Sequence, residues 1–167
     1  MGKSVDSDFE YLNDLFVSNM EAIKDFRYIA GGLAGAIALN ILHETVKRLD
    51  PEAPRIDLVG EEALVKAVEM TGAEPPKGQN LFAATLGADL LSNAMYFSAI
   101  GMGDKKGLLM RGAGYGLAAG IGALTLTKPM GLDDEPITQT TKTKVLTVTW
   151  YLFGGLVTAL AIKALSK

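Results

Sequence analysis

The sequence predicts an all-α integral membrane protein built as a four-helix bundle, and the distribution of charge is the main reason. Hydrophobic residues make up 49% of the 167 residues and charged residues 21%, and the charges cluster between four apolar runs at about 28–46, 81–102, 108–127 and 145–164. Each run has the roughly 17–25 residues that a helix needs to cross the hydrocarbon core. A soluble all-α domain is the alternative, but it would lack enough amphipathic surface to cover four such helices.

Small residues recur at helical spacing inside these runs and predict close helix packing. In water, Gly in a helix interior costs about 1 kcal/mol relative to Ala, whereas in lipid small residues let two helix backbones approach each other. The residues expected at such contacts are Gly31, Gly35, Gly112, Gly116, Gly120 and Gly154. Because one chain need not fill every such face, the sequence also favours a homo-oligomer.

Two amphipathic helices are predicted outside the spans. Residues 1–27 carry apolar side chains at helical spacing opposite an acidic face, which predicts a separate N-terminal helix that lies against the bundle or the membrane interface. A docking helix for a partner protein is the alternative interpretation of this region. A short interfacial helix is predicted at about 57–72, inside the four-span transmembrane domain at 28–167.

The charges between the spans give the expected orientation. The 16 Lys and Arg residues divide equally between the two sides of a four-span chain, so the count alone is neutral. The short turn at Asp104–Lys106 carries the greater weight, because short loops dominate the positive-inside rule. We therefore expect both termini in the cytoplasm and the chain in a bacterial-type inner membrane. Arg111, one turn into the third run, is expected to extend its head towards the lipid headgroups.

Asp89, near the middle of the second run, is the most informative residue. A carboxylate at that depth is costly and marks a functional site or a buried pair. Consecutive spans are antiparallel, so a rise of about 1.5 Å per residue places Asn40 of the first span at a depth similar to that of Asp89. The expected polar intramembrane cluster comprises Asn40, His43, Glu44, Thr85, Asp89, Ser92 and Asn93.

Three interpretations of this cluster remain open. In the first, which the sequence favours, Asp89 hydrogen-bonds an asparagine and the chain is a structural or partner-binding membrane component. In the second, the cluster is the polar site of a small-solute, ion or proton transporter or channel. In the third, His43, Glu44 and Asp89 serve a membrane-embedded enzyme, although neighbouring His and Glu on a helix point about 100° apart and do not form a zinc-binding i, i+4 pair.

Several classes of function are disfavoured by the sequence. The chain has no cysteine, which removes disulfides and thiolate chemistry. Its net charge of −3 and the lack of a basic patch rich in aromatic residues argue against a nucleic-acid partner. Because no phosphate-loop, dinucleotide-binding or nucleophile motif is present, we expect no cofactor, no metal site and no catalytic residue.

Overall fold

The computed structural model describes residues 5–166, and for residues 5–20, 22–24 and 105 it describes the backbone alone. Over that range every regular element is helical, so the prediction of an all-α chain is confirmed. Two short 3₁₀ turns, Ala99–Gly101 and Lys105–Gly107, connect the third and fourth helices. The α-helices are α1 (Val5–Leu49), α2 (Ile56–Glu69), α3 (Gln79–Ser98), α4 (Leu108–Leu126), α5 (Glu135–Thr138) and α6 (Thr141–Leu165).

Helix α1 passes without a break through the boundary predicted between residues 27 and 28. It has 45 residues, so the region predicted as a separate N-terminal helix is continuous with the first span. No proline interrupts this stretch, and its glycines weaken a helix without ending it. Residues 1–4 and most of the side chains predicted to form the amphipathic face lie outside the described residues, and so does the proposed docking surface.

Helices α1 and α6 form the central antiparallel pair of the fold. Helix α3 packs on α1, and α4 packs on α6. The consecutive helices α3 and α4 meet mainly through Tyr96, whose hydroxyl donates a hydrogen bond of 3.0 Å to the carbonyl oxygen of Tyr115. Because the four long helices alternate in direction, α2 and α5 share one end of the molecule, which we name the cap end. The turn at 99–107 and the end of α6 form the opposite end, which we name the turn end.

Two described segments are long and apolar enough to cross a membrane, Asp25–Leu49 in α1 and Thr141–Leu165 in α6. They contain the first and fourth predicted spans. The second and third predicted spans correspond to α3 and α4, which are helical but do not meet the same criterion of length and composition. Polar residues explain the difference, because α3 carries Asp89 and Asn93 and α4 carries Arg111 and several glycines.

Glycines bring the long helices close together. Gly112, Gly116 and Gly120 are buried on α4, and a Cβ atom at Gly116 would lie 2.6 Å from the carbonyl oxygen of Tyr151 in α6. On α1, Gly31 and Gly35 face α6, while Gly154 of α6 faces Leu39 and Phe97. These faces are therefore filled by helices of the same chain, which removes the argument from unfilled glycines for a homo-oligomer. The oligomeric state stays a prediction.

Threonines occupy buried positions along α6 because their hydroxyls are satisfied within the helix. Thr147 Oγ1 donates to the carbonyl oxygen of Thr143, and Thr158 Oγ1 donates to that of Gly154, both at 2.9 Å. A hydroxyl that donates to a carbonyl oxygen one turn earlier in its own helix needs no partner from another helix. Larger side chains complete the core, including Leu39, Phe97, Ile100, Trp150 and Ile162.

Polar contacts fasten α2 and α5 across the cap end. The backbone N–H of Arg55 donates to the carbonyl oxygen of Pro136 at 2.9 Å. Lys142, at the start of α6, lies 2.8 Å from a carboxylate oxygen of Asp50 and 3.1 Å from one of Glu52. The helix predicted at about 57–72 is α2, which therefore folds back over the ends of α1 and α3 rather than extending away from them.

Candidate functional site

A small cavity lies among α1, α2, α3 and α6 near the cap end. Its volume is about 40 Å³, and because about 10–15 Å³ of such space is needed for one water molecule, it has room for a few. Polar and apolar side chains share its wall. The lining residues are Leu39, Asn40, His43, Glu44, Ile56, Asp57, Gly60, Phe82, Thr85, Leu86, Asp89 and Tyr151.

Asp89 accepts hydrogen bonds from two asparagines at the inner end of the cavity. Asn40 Nδ2 of α1 donates to Asp89 Oδ2 at 2.7 Å, and Asn93 Nδ2, one turn along α3, donates to Asp89 Oδ1 at 2.8 Å. The first bond confirms that Asp89 contacts the first span at the depth of Asn40. Among the described ion pairs none includes Asp89, so amides rather than a cation surround its carboxylate.

Two buried polar atoms in the cavity wall have no hydrogen-bond partner in the protein. They are His43 Nε2 and Thr85 Oγ1, and within the described residues the only other buried side-chain atom of this kind is Arg111 Nη2. Buried polar atoms in folded proteins are bonded in about 90% of cases, often by ordered water. The His43 ring packs on Trp150, with 5.3 Å between ring centroids, which fixes the imidazole at the cavity.

A cluster of charged side chains closes the outer end of the cavity. Its members are Glu44, Lys47, Arg55 and Asp57. Arg55 binds Asp57 through two hydrogen bonds, Nε to Oδ1 at 2.9 Å and Nη2 to Oδ2 at 2.8 Å. Lys47 Nζ lies 3.0 Å from Asp57 Oδ2 and 2.5 Å from Glu44 Oε1. The Asp57 side chain is only 10% exposed, so these cations neutralise a largely buried carboxylate.

The surroundings of Asp57 lower its pKa. Burial disfavours the charged form and by itself raises the pKa, but contacts with His43, Arg55 and Lys47 lower the pKa further than burial raises it. The His43 Nε2–Asp57 Oδ1 distance is 3.6 Å, which is longer than a hydrogen bond, so Arg55 and Lys47 supply the closer contacts. The pKa of the Asp57 carboxyl therefore lies well below its usual range.

The structure brings together most of the residues predicted for the polar cluster. Asn40, His43, Glu44, Thr85 and Asp89 line the cavity, and Asn93 reaches it through its bond to Asp89 as described above. Ser92 does not belong to it.

Ser92 is exposed, and its hydroxyl donates to the backbone carbonyl oxygen of Asp89 at 3.1 Å. It was included in the predicted cluster because it lies three residues after Asp89 on the same helix. A helix turns by about 100° per residue, so Ser92 is rotated about 60° from Asp89, away from the side that faces α1.

Asp57 and Tyr151 were not predicted at the site. Tyr151 reaches the cavity from α6, and Asp57 from the first turn of α2. A signal for Asp57 was present in the sequence, because only residues 50–55 separate α1 from α2. So short a connection between two helices returns the second onto the end of the first.

The set of ionisable groups suits proton chemistry better than metal chemistry. Within the described residues no group of three or more His, Asp or Glu side chains is arranged to hold a metal ion. An imidazole and three carboxylates around a small polar cavity, those of Glu44, Asp57 and Asp89, can accept and release protons through water. Comparisons with protein-family models, with curated proteins and with solved structures found no match to this chain.

Proposed function

We propose that this chain is an integral membrane protein of four spans whose apolar outer surface meets lipid. Large hydrophobic residues are exposed on all four long helices, including the two that fall short of the span criterion. On α3 the Met95 side chain is 68% exposed and on α4 the Met110 side chain is 81% exposed. Buried glycines and threonines line the contacts between α4 and α6 and between α1 and α6. Soluble proteins rarely expose so much apolar surface, whereas small residues inside and large ones outside suit a membrane.

Extraction tests the membrane proposal. Membranes from cells expressing the full chain are washed with alkaline carbonate and then with a mild detergent. We expect the chain to stay in the membrane pellet after carbonate and to enter solution only with detergent. Release by carbonate alone would contradict the proposal. Reporter fusions at each end test the predicted cytoplasmic placement of both termini, and mass measurement in detergent tests the predicted oligomer.

Within this bundle, we propose that Asp89 takes up a proton from the cap end through the cavity. The observation that carries the proposal is that Asp89 shares the cavity with His43 Nε2 and Thr85 Oγ1, two buried polar atoms that have no hydrogen-bond partner among the described residues. Water molecules bonded to those atoms would connect Asp89 to the cluster of charged side chains that includes Asp57. Carboxylates inside membrane segments are the residues that proton relays of pumps and transporters use.

A proton fits the site better than a metal cation. The cavity of about 40 Å³ has room for a few waters but not for a hydrated ion with a complete shell. Each oxygen of Asp89 already accepts one amide N–H, from Asn40 or Asn93, so each has one lone pair left, and a metal cation would need further ligands beyond these two. A proton needs only one of those oxygens.

A structural role for Asp89 is the second candidate, and the same two hydrogen bonds favour it. They join α1 to α3 and satisfy both carboxylate oxygens, as expected of a polar contact that fastens two membrane helices. The two roles differ in what Asp89→Asn would change. If Asp89 only joins the helices, Asn keeps one of the two acceptor oxygens and one partner amide must turn over to accept from its NH2 group, so a modest loss of stability is the only effect. If Asp89 takes up a proton, Asn preserves the fold and abolishes the uptake.

Proton uptake is measured with full-length protein in sealed liposomes that contain a pH-sensitive dye. A potassium diffusion potential drives proton entry, and Asp104→Asn, an exposed change in the turn, serves as the matched control. Infrared difference spectra between acidic and neutral pH report the protonated carboxyl directly. We expect the carboxyl band in wild type and in Asp104→Asn and its loss in a folded Asp89→Asn variant. A dye response that disappears together with the band would show in addition that the proton crosses the bundle. The same band in all three proteins, or no band in wild type, would contradict proton uptake.

A further inference from the structure

A second cavity lies at the turn end of the molecule, away from Asp89. Its volume is about 250 Å³, and its wall combines two cations, Arg111 and Lys163, with apolar side chains that include Tyr28, Leu108 and Ile162. None of the described residues that line it is acidic. The cavity is thus large, positively charged and partly apolar.

The Arg111 side chain is held in place by a hydrogen bond, and one of its other N–H groups is left unpaired among the described residues. Its Nε donates to the carbonyl oxygen of Ile100 at 3.0 Å, and its Nη2 is buried and has no hydrogen-bond partner among the described residues. The turn wraps round the guanidinium so closely that Cβ atoms at Gly103 and Gly107 would lie 3.3 and 3.1 Å from Nη1. Arg111 therefore turns into the fold, and its guanidinium borders the cavity with one N–H group unpaired.

Lys163 supplies a second cation of a different kind. It is exposed in the last turn of α6 and borders the same cavity. A guanidinium offers planar, directed N–H groups, and an ammonium offers a mobile point charge. Together they match a phosphoryl group, which carries several acceptor oxygens and a negative charge.

We propose that the turn-end cavity binds a phosphate-bearing anion, with phosphoryl oxygens on Arg111 Nη2 and Lys163 Nζ. The apolar walls formed by Tyr28, Leu108 and Ile162 accommodate an organic substituent on the phosphate. A phospholipid headgroup and a soluble phosphate both have this chemistry. The site shares no residue with the Asp89 cavity, so a test of this site is independent of the proposal of proton uptake.

Binding is measured on full-length protein in neutral detergent. The probes are phosphatidylglycerol, phosphatidylcholine and inorganic phosphate, and the readouts are adducts in native mass spectrometry and the rise in thermal midpoint with probe concentration. Lys163→Gln is the main variant because Lys163 is exposed and makes no described contact that holds the fold. Lys106→Gln is the matched control, since Lys106 is exposed in the turn and does not line the cavity. Arg111→Gln is added if its thermal midpoint shows that it folds.

We expect saturable binding in wild type that is at least about tenfold weaker in Lys163→Gln, since this variant loses a hydrogen bond between charged groups, and unchanged in Lys106→Gln. Preference for phosphatidylglycerol over phosphatidylcholine would assign the site to an anionic lipid. Saturation by inorganic phosphate without a lipid preference would assign it to a soluble phosphate. The proposal is overturned if no probe saturates, or if both lysine variants weaken binding equally.

Discussion

Replacing Gly116 by Ala tests whether the close approach of α4 to α6 determines stability. A Cβ atom at Gly116 would lie 2.6 Å from the carbonyl oxygen of Tyr151 and 2.7 Å from the Cα of Leu152. Both neighbours are backbone atoms, so neither can rotate away. Helix α4 would have to move roughly 1 Å from α6 to restore a normal separation of about 3.5 Å.

Gly114 provides the matched control on the same helix. A Cβ atom there meets nothing within 4 Å, so Gly114→Ala adds the same methyl group without a clash. Ala gains about 1 kcal/mol over Gly in helix propensity at both positions, and that gain cancels in the comparison. The remaining difference is the overpacking cost, about 1–3 kcal/mol. Gly116→Ala should therefore be less stable than Gly114→Ala by that amount.

The free energy of unfolding is measured by titrating detergent-solubilised protein with dodecyl sulfate. The chain has a single tryptophan, Trp150, which is 2% exposed and adjoins Tyr151, so its fluorescence reports the packing at this contact. Stabilities of the two variants within about 0.5 kcal/mol of each other would refute the reasoning, because independent sites agree to about that margin. A more stable Gly116→Ala variant would also refute it.

Three further predictions concern the cap-end cavity and use the same unfolding assay. Asn40→Ala should lower the free energy of unfolding by about 0.6–1.7 kcal/mol, the range for polar contacts between membrane helices, and no change would mean that its bond to Asp89 is not stabilising. Asp57 has a pKa lowered by the fold, so its contribution is present above its unfolded pKa of about 3.9 and is lost as the pH falls further. Asp57→Asn should therefore flatten the loss of stability below about pH 4, whereas the exposed control Glu69→Gln should not. Thr85→Val keeps the shape of the side chain but removes its unpartnered hydroxyl, so it should leave stability unchanged or raise it while slowing proton uptake; unchanged uptake would argue against a hydrated cavity.

Part of the site could be predicted because it depends on helix geometry alone. Asn40 and Asp89 were matched by counting residues from the ends of two antiparallel helices, and a fixed rise per residue makes such a count reliable. The contact between them is therefore in the expected place. Ser92 was wrongly included in the cluster. Residues three apart on a helix lie about 60° apart around its axis, and the cavity faces only one side of α3.

The rest depended on tertiary contacts that local patterns do not encode. Asp57 reaches the cavity only because α2 folds back over α1, where Arg55 and Lys47 hold its carboxylate. Helix α1 shows no boundary near residue 27, because residues 21–30 contain neither a proline nor a glycine that would end a helix. The filling of the glycine faces by the chain's own helices could not be foreseen, since the same spacing serves contacts within a chain and between chains.

The packing beyond Asp89 bears on what kind of proton handling the bundle can perform. One turn past Asn93 on α3, Phe97 is fully buried, and a Cβ atom at Gly154 of α6 would lie 3.0 Å from its ring. Leu39 completes this contact from α1, so side chains fill the space between the cap-end cavity and the turn end. A proton that reaches Asp89 in this conformation can leave only by the way it entered. Uptake and release on one side need no movement of the helices, whereas passage across the bundle requires α1 and α6 to separate at Gly154.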